Sequence, residues 1–167
     1  MVNMACGYSI GKKKFRNVEG DLKAIQHRCD SISRHSLRLA AADAETYQQL
    51  ADAMRQPRKT EKEKSIRQVA VALAAKTATA IPMELADLCV ELIDLADDTC
   101  TLGNQNLIGD AAGGGSLARG VLRVCQLNIA ANLPLLKDRD FAHLAQAQLD
   151  SAKHALSHSD KTVDRYL

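Results

Sequence analysis

Tryptophan is absent, and tyrosine and phenylalanine together make up only 3% of the 167 residues. So few aromatics leave no platform on which bases could stack. Charge of one sign is also lacking. The formal net charge is +2, and apart from the run Lys12, Lys13, Lys14 the two signs are mixed along the chain. No broad field therefore draws in a nucleic acid. Aromatic and β-branched residues favour strands, whereas alanine and leucine, which dominate here, favour helices. No alternating strand pattern, internal repeat or low-complexity linker is found.

Paired cysteine motifs are missing too. Cys6, Cys29, Cys89, Cys100 and Cys125 are odd in number, and none stands in a CxxC spacing. With no signal peptide ahead of them, they read as reduced thiols of a cytoplasmic protein. Cys89 and Cys125 sit among apolar residues and are expected to pack as small hydrophobes. No apolar run approaches the roughly 20 residues that cross a bilayer, so no membrane contact is expected. The histidines are scattered. Only His154 and His158 share i, i+4 spacing, and a solvated helix face is the plain reading, so no metal site is expected.

At 46% hydrophobic and 25% charged, the composition is that of a globular domain, and residues 1–167 read as one domain. MVNMACGYSI resembles the tail of a helix, with Gly11 a plausible stop. From Val18 the residues Leu22, Ile25, Cys29, Ile32, Ser36 and Leu39 recur three or four apart, one apolar stripe of a helix running to Pro57. Such a helix is roughly 55 Å long at about 1.5 Å per residue. Thr60 and Glu63 form a capping box for the next helix. A break or kink is expected near Ile81, because proline inside a helix costs about 3 kcal/mol. Leu85, Leu88, Leu92, Leu95 and Thr99 form a coiled-coil-like seam ending at Gly103. Leu117–Leu136 is helical and apolar on most sides, and Phe141–Leu156 is amphipathic. The expectation is an all-α, antiparallel bundle of about five helices. Its apolar faces are wide for one small bundle, which points to a homodimer closing over them.

The segment GNQNLIGDAAGGGS, residues 103–116, interrupts this regularity. Gly113–Gly115 read either as a loop whose NH groups hold an anion at a helix start or as close backbone packing. No Lys-Ser/Thr follows and no strand precedes, so it is neither a P-loop nor a dinucleotide fingerprint. Asp110 stands beside an apolar helix, with Asn104 and Asn106 just before it. Asn128 and Asn132 share a helix face among apolar neighbours that predict burial. An unpaired buried amide costs about 1–3 kcal/mol, so these two need partners: each other, a backbone, or a ligand.

GNQNLIGDA followed by LNIAANLPLLKD resembles the cyclodeaminase/cyclohydrolase family acting on folates. Gly103, Asn104, Asn106, Ile108 and Asp110 match that family's first element. Leu127, Asn128, Asn132, Leu133, Lys137 and Asp138 match the second. GKKKF, Asp43 with Tyr47, and Pro57, Lys59, Glu63, Lys64 and Arg67 match further pieces in order. The resemblance covers nearly the whole chain, except that the family opens with a further helix carrying a GGGS-type segment, which this chain is expected to lack; Gly109 also replaces the family's serine.

The resemblance implies an all-α dimer acting in one-carbon metabolism. Its members either close formiminotetrahydrofolate to methenyltetrahydrofolate with loss of ammonia or hydrolyse the methenyl form. No metal, and no cofactor beyond the folate substrate, is implied. Both reactions need a positioned acid or base. Asp110 is the candidate. Asn104, Asn106, Asn128 and Asn132 are candidates for the pterin edge, and Lys12, Lys13 and Lys14 for the glutamate tail. Two alternatives remain: a non-catalytic helical dimer that binds a ligand or partner, and a plain interaction module built on the Leu85–Leu95 seam. If the enzyme reading holds, Asp110 and Asn128 converge on one sheltered hollow.

Overall fold

A computed structural model describes residues 1–164, with side chains through Ser157. Five helices follow one another: α1 (Val2–Gly7), α2 (Glu19–Arg55), α3 (Glu61–Leu102), α4 (Ile108–Asn132) and α5 (Arg139–Asp164). No strand occurs among the described residues. The all-α expectation therefore stands, with the five-helix count.

Between α1 and α2 the chain turns at Gly11, whose φ of 79° lies in the left-handed region that glycine tolerates. Buried Phe15 anchors the short 3-10 turn Lys13–Phe15 that follows. The stripe Leu22, Ile25, Cys29, Ile32 and Leu39 is buried along α2, as its spacing requires. At the start of α3 the backbone NH of Glu63 donates to the Thr60 hydroxyl at 3.2 Å. The Glu63 carboxylate accepts from the Thr60 NH at 2.8 Å. This is the reciprocal capping expected, and it holds the Glu63 carboxyl below its ordinary range.

α3 is the central element. α2 and α4 pack extensively on it, α5 lies against α3 and α4, and α1 touches α2, α3 and α4. The expected break at Ile81 does not occur: α3 continues through Pro82 to Leu102. Pro82 is buried, and packing on both sides of the helix outweighs the local cost of the missing NH. With Pro82 no longer an interruption, α3 is long and apolar enough to cross a membrane by length and composition, contrary to expectation. Its later turns form the core of the bundle, whereas Ile66, Val69 and Leu73 near its start are exposed and only 33% of the apolar stretch is buried.

α4 also starts earlier than its apolar run. Asn104 caps a 3-10 turn, Gln105–Leu107, its side chain accepting from the Asn106 NH, and α4 begins at Ile108. Gly113–Gly115 thus lie inside a helix and form no anion-holding loop. A Cβ at Gly113 would come 2.9 Å from Met1 Cε, and one at Gly114 would come 2.8 Å from Val2 Cγ2. At Gly115 it would lie 3.1 Å from Ala96 Cβ. The three glycines let α1 and α3 press against α4. At the other end, Asp138 accepts from the Phe141 NH at 3.1 Å and pairs with Lys76 at 2.6 Å, tying the start of α5 to α3.

Candidate functional site

α2 and α4 both pack on α3 and have no substantial contact with each other. The space between them is a groove of about 890 Å³, floored by α3 from Ile81 to Leu92. Its walls are α2 from Cys29 to Asp43 and α4 from Gly114 to Asn128, and the first residues of α1 close one end. At about 1.5 Å per residue, the walls run roughly 20 Å. The lining is mainly apolar, from residues such as Ile32, Leu39, Leu88, Leu117 and Val121. A few polar groups break it, the composition expected of a small-molecule site.

Those polar groups cluster at the two ends. Near α1, the Asn3 amide donates to Asp30 Oδ1 at 2.7 Å and to the Gln26 carbonyl at 3.3 Å. Asp30 is thereby held at the rim. At the other end Asp43 comes from α2 and Asn128 from α4. Asp43 lies close enough to α4 for its charge to act on the Cys125 thiol, less than one turn before Asn128. Ser33 and Ser36 lie between the ends. Two cross-ties fix α2 on the floor. His35 Nε2 meets Glu84 Oε1 at 2.8 Å. The Arg28 guanidinium forks onto Glu91, Nη2 to Oε2 at 2.6 Å, and holds the Glu91 carboxyl below its usual range. Cys29, in the groove wall, is pushed up to about 11, first by burial and then by neighbouring Cys6 and Asp30.

Of the eight residues expected to form a site, only Asn128 lines this groove. It is exposed toward it rather than buried, since Leu117, Val121, Val124 and Leu127 of α4 are exposed as well. Asn132, half-buried, lies one turn beyond, at the end of α4. Asp110 sits half-buried in the first turn of α4, a favourable place for a carboxylate at a helix N-terminus.

Asp110 and Asn128 do not share a hollow in this chain, contrary to expectation. Eighteen residues of one helix separate them, about 27 Å. Asn104 and Asn106 stay with Asp110 at that end of the bundle. There the Asn104 NH donates to the buried Ser9 hydroxyl at 2.9 Å. The same contact brings in the exposed Lys12–Lys14 turn. Lys12 lies 5.9 Å from the Tyr8 ring centre and Lys14 5.5 Å from that of Phe15.

The groove's carboxylates, Asp30 and Asp43, were not assigned a role from sequence. Their signal was present: Asp30, Ser33, Ala40 and Asp43 form a small-polar stripe at helical spacing beside the apolar stripe of α2. No cluster of three or more metal-ligating residues occurs among the described residues. His154 is exposed, and the side chain of His158 lies outside the described residues.

The chain is 35% identical over 150 residues to a methenyltetrahydrofolate cyclohydrolase of Methylorubrum extorquens, covering 90% of this chain and 72% of that protein. Its fold is similar to the crystal structure of a formiminotetrahydrofolate cyclodeaminase from Thermotoga maritima. The TM-score is 0.83 and the identity 22%, over 98% of this chain and 78% of the other. A family profile described as Formiminotransferase-cyclodeaminase matches residues 1–151. The chain belongs to the formiminotransferase-cyclodeaminase family.

Proposed function

We propose that the chain hydrolyses methenyltetrahydrofolate to 10-formyltetrahydrofolate in the groove between α2 and α4. The observation that supports this most is that Asp43 and Asn128 both line one end of an elongated apolar groove. The flat pterin and aminobenzoyl rings match its apolar walls. The Asn128 amide offers a donor and an acceptor to the pterin edge. The methenyl carbon is an amidinium cation bridging N5 and N10, and the Asp43 carboxylate stabilises its charge. As water adds to that carbon, Asp43 takes a proton from it. The bond to N5 then breaks, N5 gains a proton, the formyl group remains on N10, and one proton leaves to solvent. Water addition to an amidinium needs no redox group, so the folate is the only cofactor the reaction requires.

This orientation sends the glutamate tail toward the Asn3 end, the side of the Lys12–Lys14 turn. Those lysines meet the tail carboxylates as exposed point charges. We further place the protein in the cytoplasm as a homodimer. Support comes from the five unpaired, buried cysteines and from the exposed outer face of α4.

The test follows the absorbance of methenyltetrahydrofolate. Intact protein should accelerate its loss. Asp43→Asn should lower kcat by about 100-fold or more, while Asp110→Asn should leave it near the parent value. Faster release of ammonia from formiminotetrahydrofolate than hydrolysis of the methenyl form would assign the lyase reaction instead. No acceleration of either would reject the enzyme reading. Thermal stabilisation by a folate would then identify a binding protein.

A further inference from the structure

All five cysteines are free and buried, and three of them, Cys29, Cys89 and Cys125, reach the groove. Two of these three are not isolated. Cys89 on α3 and Cys125 on α4 belong to one packed cluster with Ala86, Ala118 and Leu122. Their thiols lie close enough for each to shift the other's titration, Cys89 up and Cys125 down. The helices approach closely here because small residues line their contact: Ala86, Ala96, Gly115 and Ala118. A disulfide needs Cα atoms within about 4.4–6.8 Å and Cβ atoms near 3.8 Å, and helices meeting through alanine and glycine allow that approach. Open space in front of the pair and a second thiol within the same packed cluster are the two requirements for oxidative closure.

We propose that Cys89 and Cys125 form an oxidisable dithiol in the wall of the groove, closing to an intramolecular disulfide when a small hydroperoxide enters. The reaction balances without another reagent. The Cys125 sulfur attacks one peroxide oxygen, the O–O bond breaks, and with hydrogen peroxide the leaving oxygen departs as water. This leaves a sulfenic acid. The Cys89 sulfur then attacks the Cys125 sulfur and expels the second oxygen as water. Two thiols and one peroxide become one disulfide and two waters.

The division of roles follows from this coupling. Interaction with Cys89 favours the Cys125 thiolate, while interaction with Cys125 and burial hold Cys89 protonated. Among the described groups, Asp43 on α2 is the charged one that acts on Cys125, and it opposes the thiolate. Cys29 lines the same groove, is pushed up by burial and then by Cys6, and belongs to a different packed cluster. It is the internal control.

The proposal does not depend on what the groove binds, so its test uses no folate. The full-length, folded protein is treated with hydrogen peroxide, and its free thiols and linked peptides are followed by mass spectrometry. Two of the five thiols should disappear together, giving one peptide joined through Cys89 and Cys125. Cys29→Ser should leave this linkage intact. Cys89→Ser should stop it and leave a Cys125 sulfenic acid that a dimedone-type reagent traps. Cys125→Ser should abolish linkage and slow peroxide consumption by the folded protein. Loss of Cys6, Cys29 or Cys100 at the same rate, or no Cys89–Cys125 peptide while the fold persists, would overturn the proposal.

Discussion

The two sides of α4 carry residues of similar hydrophobicity and meet different surroundings. Toward α3, Ala111, Gly115, Ala118, Leu122, Cys125 and Ile129 are buried, several completely. Toward the groove and beyond it, Leu117, Val121, Val124 and Leu127 are exposed, Leu117 by 65%. Burial of apolar surface contributes about 25 cal/mol per Å² only where water is removed. The inner side therefore holds the fold, and the outer side leaves apolar surface available to a ligand or another chain.

The sharpest break between the two sides should come from truncating one leucine on each. Leu122 is fully buried, and Leu122→Ala should cost about 2–5 kcal/mol. Leu117→Ala should stay within about 0.5 kcal/mol where that face is open, and cost more where the proposed homodimer covers it. Denaturant midpoints measured on both variants decide this, and equal losses would mean that the outer face is covered in solution. Next, Asn128→Ala should weaken turnover of the methenyl folate with little change in Tm, because its side chain faces the groove and no hydrogen bond with another group of the chain is described for it. A Tm loss as large as that of Leu122→Ala would make Asn128 structural.

How far these sides could be read from sequence differs by residue. The α2 stripe, the Thr60–Glu63 cap and the helix count followed from spacing alone. Pro82 misled because a local cost was weighed without the packing that offsets it. Asp110 and Asn128 match two separate elements of the resemblance, and such matches say nothing about how far apart one straight helix sets its residues. Asp43 was visible as a motif member, yet its place in a groove shared with Asn128 depends on the packing of helices far apart in sequence.

Glycine offers a gentler comparison within α4. A Cβ at Gly114 meets Val2, whereas one at Gly120 meets nothing within 4 Å. Gly114→Ala should cost about 1–3 kcal/mol by pushing α1 away. Gly120→Ala should gain about 1 kcal/mol from helix propensity and raise Tm by about 2–4 °C. Thermal melts of the pair should move in opposite directions.

The smallest effect expected is electrostatic, on the α2 wall. The Glu91 carboxyl is lower folded than unfolded, because Arg28 bonds its charged form. Its stabilisation is present above the ordinary carboxylate value of about 4.3 and fades as pH falls through the folded value. Glu91→Gln should flatten the acid limb of a Tm-against-pH curve slightly and leave neutral pH nearly unchanged in slope. An unaltered acid limb would show that the pair is screened away.

The groove's two walls are joined chiefly by the helix beneath them. Anything lodged between α2 and α4 is then a brace across a two-legged frame. Occupancy should make the legs unfold in concert and slow the escape of amide hydrogens on both, including on turns the occupant never touches.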